Sequence, residues 1–139
     1  MTHSDVWIIP GAVASGLGKG ALFVSIEWVR SRLTELMGIP PFPGTLNVRV
    51  APQIWAALFA QRTRFDLVSE PGMAGSCPGY LAAITLRTHS ESVQQAWVIL
   101  PEVTVHTDFL EIVSPHHLRN MLGLSDGDFL EVIVSVPLD

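Results

Sequence analysis

Cysteine is nearly absent: Cys77 is the only one in 139 residues. A single thiol cannot build a disulfide framework within the chain and offers no basis for a cysteine zinc site. The usage suits a reducing compartment. Cations are scarce as well, with 8 Lys and Arg against 13 Asp and Glu and a net charge of −5. Lys19, Arg30, Arg32, Arg49, Arg62, Arg64, Arg87 and Arg119 form no basic stripe, so nucleic acid is not an expected partner. One Lys with a few backbone N–H groups still suffices for a single phosphate. Long apolar runs are missing too. No stretch reaches the roughly 18 residues of a membrane span, and MTHSDVWIIPGAV lacks the basic n-region of a signal peptide. The expectation is a cytoplasmic monomer that engages no membrane. Charged residues make up only 15% of the chain and hydrophobic ones 48%, which excludes disorder. This balance leaves either a thin polar shell or a substantial apolar site. The length suits one domain over residues 1–139.

What is present reads as short strands with a few helices. Val6 to Val13 is β-branched and broken by Pro10-Gly11, which predicts a strand with a bulge or an edge. Ser25 is placed to cap a helix running to about Met37, with Gly38 as its C-terminal stop. Thr45 to Val50 alternates as a strand, and Ile54 to Ala60 reads as a short helix. Arg62 to Gly79 reads as a loop around one short strand near Phe65 to Val68. Tyr80 to Leu86, Gln95 to Leu100 and Phe109 to Val113 read as strands. Ser114-Pro115 has the form of an N-cap and first helical residue for a helix to Leu122, ended by Gly123. Ser125-Asp126-Gly127-Asp128 is a tight turn before a final strand, Phe129 to Val136. The sum predicts a mainly β fold, a small β-barrel with two or three short helices. The tryptophans Trp7, Trp28, Trp55 and Trp97 are expected in the core.

Four segments can carry chemistry. Gly16-Leu17-Gly18-Lys19-Gly20 allows close backbone approach to a ligand and adds one compact cation suited to phosphate. It is not a P-loop: Val13 stands where the first glycine is required and Gly20 where Ser or Thr is required. A flexible turn explains the same glycines. In Pro40-Pro41-Phe42-Pro43-Gly44-Thr45-Leu46-Asn47, the prolines stiffen the chain, and Thr45 and Asn47 leave one face of a strand. One hydroxyl and one amide oxygen can hold Mg²⁺, or they can simply satisfy a turn. Thr104, His106, Asp108 and Glu111 include a histidine that titrates near neutrality, though a lone His is more often structural. Ser114 to Arg119 offers an anion-facing helix start and an arginine, or an ordinary capped helix. His116 and His117, being adjacent, make a poor metal pair.

The order GLGKG, PFPGTLN, PEVTVH and SPHHLRNMLGLSDGDFLEV resembles the archaeal-type CTP-dependent riboflavin kinase family over nearly the whole chain. Only residues 62–92 match loosely. The resemblance implies a cradle-loop β-barrel and transfer of the γ-phosphoryl group of CTP to the 5′-hydroxyl of riboflavin, giving FMN and CDP with Mg²⁺. By position, it implies nucleotide binding by Gly16, Leu17, Gly18, Lys19, Gly20 and Ala21, and by His116, His117, Leu118 and Arg119. It likewise implies Mg²⁺ ligation by Thr45 and Asn47 and flavin contact by Thr104 and Glu111. Glu111 is the first candidate for the general base and His106 the second. Lys19 stands where the family usually has Glu, reversing a charge beside the phosphates. The alternatives are a non-catalytic flavin- or nucleotide-binding barrel module and a barrel used for DNA binding or assembly. The acidic balance argues against the last.

Overall fold

The computed structural model describes residues 3–15, 24–69, 79–102 and 107–138. Seven strands lie among them: β1 His3–Ala14, β2 Leu46–Arg49, β3 Asp66–Val68, β4 Gly79–Arg87, β5 Ser92–Pro101, β6 Phe109–Val113 and β7 Phe129–Leu138. Three helices accompany them: α1 Glu27–Met37, α2 Pro52–Phe59 and α3 Leu118–Leu122, with a 3-10 turn at Arg62–Arg64.

Every strand pairing is antiparallel, and the order is β3-β4-β5-β6-β2-β1-β7. Strand β7 returns to β4, so six strands close into a ring with β3 hung beside it. One strand serves both functions: β4 meets β3 through Gly79 to Leu81 and β7 through Ile84 to Arg87. Closure removes most of the unpaired backbone that makes a sheet edge hazardous. Part of what remains is capped by arginine. Arg32 Nε and Nη2 donate to Leu67 O on β3 at 3.3 Å each. Arg64 Nη1 donates to Pro137 O on β7 at 3.0 Å. The expected mainly β, barrel-like architecture with short helices is what the chain adopts.

Alternation along the strands sorts side chains into two clusters. Inside the ring, Ile9 and Val13, Leu46 and Val48, Ile84 and Leu86, Val98 and Leu100, Leu110 and Ile112, and Leu130 to Val136 at every second position pack together with Trp55, Leu58 and Leu118. Outside it, Val29 and Leu33 of α1 cover Leu81, Ile99 and Val113, with Trp28 and Trp97 at the margin. Of the four tryptophans Trp55 is fully in the core, and its Nε1 donates to Phe109 O at 3.0 Å.

Three differences from the sequence reading bear on the site. Helix α1 begins one residue after an extended Ile26, so Ser25 is not its N-cap; Gly38 does end it, at φ 80°. Strand β1 runs in unbroken register past Pro10 and Gly11, opposite Glu131 and Leu130. Pro10 precedes the pairing with β2, which starts at Ala12, so no donor is needed on that side. Gly11 is needed for closeness, since a Cβ there would press on Val48 and lie 2.9 Å from Arg49 O. The irregularity falls instead between β4 and β5, where Ile84 pairs with Ala96 and Leu86 with Val93. One extra residue on β5 makes a bulge at Gln94-Gln95.

The third difference is α3. It starts at Leu118 behind an extended His117 and has only five residues. Ser114 is therefore not its cap, nor Pro115 its first residue. The backbone is held otherwise: Phe42 N donates to Ser114 O at 2.7 Å, and Ser114 Oγ donates to Gln95 O at 2.6 Å while accepting from His116 N at 3.1 Å. The Ser125–Asp128 turn links α3 to β7, with Gly127 at φ 90°. Among the described residues no helix is long and apolar enough to cross a membrane.

Candidate active site

The segment Pro40 to Gly44 is anchored to the start of the 114–119 turn by the Phe42 N to Ser114 O bond and reverses at Gly44, φ 152°. That delivers Thr45 and Asn47 to the outer face of β2, while Leu46 and Val48 point into the core. Asn47 is 5% exposed, an unusual place for an amide. Thr45 Oγ1 donates to Asn47 Oδ1 at 3.5 Å, the long limit for such a bond. Two oxygens bound side by side to Mg²⁺ at 2.0–2.1 Å lie about 3 Å apart. The Thr45 and Asn47 oxygens stand about 0.5 Å farther apart than that.

The register of three strands assembles the neighbours. Asn47 lies opposite Ala14 of β1 on one side and Glu111 of β6 on the other. Directly opposed residues share a face with Cβ atoms about 5 Å apart. Glu111, half-buried, thus shares a strand face with Asn47. Among the described residues no three His, Cys, Asp or Glu side chains gather for a metal. The donor set at hand is hydroxyl, amide and one carboxylate, all hard oxygens suited to Mg²⁺.

Next to Thr45 is a cavity of about 170 Å³, lined also by Phe42, Ser114, His117 and Arg119. His117 stacks on Phe42 with ring centres 4.6 Å apart and planes 7° apart. His116 also lines the cavity, with its Nε2 2.7 Å from Gln95 Oε1. The two rings take different partners, Phe42 for His117 and Gln95 for His116. Leu118 is buried in the core beneath the cavity. Arg119 Nη2 donates to Ala14 O at 3.0 Å and to Asp126 Oδ1 at 2.6 Å. Asp126 Oδ2 accepts from Ser15 Oγ. The Ser15 hydroxyl first and the Arg119 guanidinium second hold the Asp126 carboxyl below its ordinary range.

Thr45, Asn47, Glu111 and the 116–119 segment are thus gathered at one end of β2 and β6. The loop candidates Gly16, Leu17, Gly18, Lys19, Gly20 and Ala21, and Thr104 and His106, lie outside the described residues. The point where the glycine segment leaves β1 is described: Ala14 opposes Asn47 and is tied to Arg119. Sequence reasoning missed Phe42, Gln95, Ser15 and Asp126. From the sequence alone Asp126 reads as a turn former. Gln94-Gln95 did carry a signal, since two polar residues in a row break strand alternation and mark a bulge.

The sequence matches the family described as domain of unknown function DUF120 (CTP-dep_RFKase) over residues 13–134. It is similar to a riboflavin kinase of Pyrobaculum arsenaticum, 41% identical over 128 residues, covering 89% of this chain and 59% of that protein. A riboflavin kinase of Saccharolobus solfataricus is 34% identical, covering 92% of this chain and 74% of that protein. One of Methanopyrus kandleri is 32% identical, with 91% and 82% covered. The chain spans about three-fifths of the length of the Pyrobaculum relatives it matches. With its motifs, its ring of strands and this match in hand, the chain belongs to the archaeal-type CTP-dependent riboflavin kinase family.

Proposed function

We propose that the chain is a riboflavin kinase that uses CTP with Mg²⁺, forming FMN and CDP. The observation that carries the reading is the single patch where Thr45, Asn47 and Glu111 meet the root of the glycine segment. Phosphoryl transfer asks a protein for positioning and charge neutralisation more than for covalent chemistry. Thr45 and Asn47 are the residues that would hold Mg²⁺, which supplies neutralisation of phosphate charge when bound. Glu111 is the general base, accepting the proton of the riboflavin 5′-hydroxyl as its oxygen bonds to the γ-phosphorus and the bond to the β-phosphate oxygen breaks, leaving CDP. Residues 16–21 and Arg119 bind the phosphates, and His116 to Leu118 line the nucleotide. Thr104 contacts the flavin, with His106 the second candidate base.

The test is incubation with riboflavin, Mg²⁺ and each nucleoside triphosphate in turn, with FMN followed by chromatography. FMN and CDP formed in equal amounts with CTP are expected. No FMN with any nucleotide would reject the kinase, and riboflavin binding without turnover would favour the non-catalytic module.

A further inference from the structure

Asp126 touches neither the Thr45–Asn47 pair nor the cavity, yet it joins three parts of the chain. One carboxylate oxygen receives Arg119 Nη2 and the other receives Ser15 Oγ. Backbone bonds repeat the link: Gly127 N donates to Val13 O at 2.7 Å, and Val13 N donates to Asp128 O at 2.9 Å. Arg119 Nη2 completes the knot on Ala14 O. The 125–128 turn thereby fastens the last described residues before the glycine segment. It does so beside Asn47, which opposes Ala14.

The charges matter as much as the tether. A guanidinium carries five donors in a fixed fork. Here one nitrogen is engaged by Asp126 and Ala14 O, and Nε and Nη1 have no partner among the described residues. Arg119 also lines the cavity. Holding one corner of a planar fork fixes the direction of the others. We infer that Asp126 is a positioning residue for the phosphate side of the site: it orients Arg119, which lines the cavity, and holds the end of β1 through Ser15. This rests on the kinase reading for the identity of the anion.

The consequence is a one-sided defect. Asp126→Ala frees Arg119 and Ser15 together, whereas Ser15→Ala removes one arm alone. Calorimetry on the full chain with CDP and Mg²⁺, and separately with riboflavin, separates the two sides. Asp126→Ala is expected to weaken CDP by about tenfold, as loss of a charge-assisted anchor implies, with riboflavin affinity within about twofold of the parent. Ser15→Ala, which spares the Arg119 pair, is expected to fall between. Equal weakening of both ligands, or of neither, would overturn the assignment. Amide exchange at Val13 and Gly127 in the ligand-free protein gives a readout independent of any nucleotide. It is expected to quicken in Asp126→Ala and in Ser15→Ala, and unchanged exchange in both would overturn the tether. Failure of the parent protein to bind CDP would instead reject the kinase reading, leaving the exchange result to stand by itself.

Discussion

Replacing Gly11 with alanine tests how the register beside the site is set. Gly11 faces the interior between Ile9 and Val13. An added Cβ would sit well inside contact with Val48 Cγ1, 2.9 Å from Arg49 O and 3.3 Å from Val50 Cγ1. Val48 is fully buried, and Arg49 belongs to the β2–β6 pairing, so neither has room to yield freely. Overpacking of this kind costs about 1–3 kcal/mol. Stiffening of the unfolded chain returns about 0.4–1 kcal/mol. The net loss is on the order of 1–2 kcal/mol, which for a domain of this size lowers Tm by roughly 3–10 °C. Gly79→Ala is the control, because its Cβ would meet nothing nearer than 3.4 Å. Thermal unfolding followed by circular dichroism reads both. A second comparison sharpens it: in a Val48→Ala background the space exists, so Gly11→Ala costs less there, a coupling of about 1 kcal/mol. A Gly11→Ala protein as stable as the parent, or an unchanged cost without the Val48 methyls, would refute the close-approach argument.

Other outcomes follow from the same geometry. Glu102 is held below its usual 4.5 by hydrogen bonds from Arg62, and Asp126 below 3.8 by Ser15 and Arg119. Folded values below unfolded ones give stability that is complete above the unfolded pKa and lost as pH falls through the folded one. Tm is therefore expected to hold from pH 7 to about 5 and to drop below about 4. The drop should be shallower in Glu102→Gln and Asp126→Asn, and parallel curves for all three proteins would contradict this. Trp55→Phe removes the donor to Phe109 O and is expected to cost about 1–3 kcal/mol in urea unfolding. Leu33→Ala empties the fully buried contact of α1 on the sheet and is expected to cost about 2–5 kcal/mol in the same assay.

The sequence revealed strands where one face is buried and alternation is clean. Thr45–Val50, Phe109–Val113 and Phe129–Val136 are of that kind, and β2, β6 and β7 match them closely. It misled where long-range bonds override local preference. Ser114-Pro115 has the form of a helix start, yet its serine is spent on Gln95 O and its carbonyl on Phe42 N, and neither partner is near in sequence. Strand β5 starts at Ser92, ahead of the Gln95 that alternation indicates, because the Gln94-Gln95 bulge interrupts the pattern. That bulge brings Gln95 to both Ser114 and His116. Of the site, the Thr45–Asn47 spacing was legible because two residues on one strand necessarily share a face. The opposition of Asn47 to Glu111 and Ala14 was not, since cross-strand register depends on pairing that spacing does not encode. The Ser15–Asp126–Arg119 knot was hidden for the same reason.

The most direct measurement is the rate of FMN formation from riboflavin and CTP as a function of Mg²⁺ concentration, for the parent protein, Asn47→Ala and Asn47→Asp. An oxygen pair that holds the cation predicts loss of turnover by at least about a hundredfold in Asn47→Ala. It also predicts a shifted Mg²⁺ dependence in Asn47→Asp, where a charged oxygen replaces a neutral one. Parent-like rates and an unaltered Mg²⁺ curve in Asn47→Ala would contradict the account.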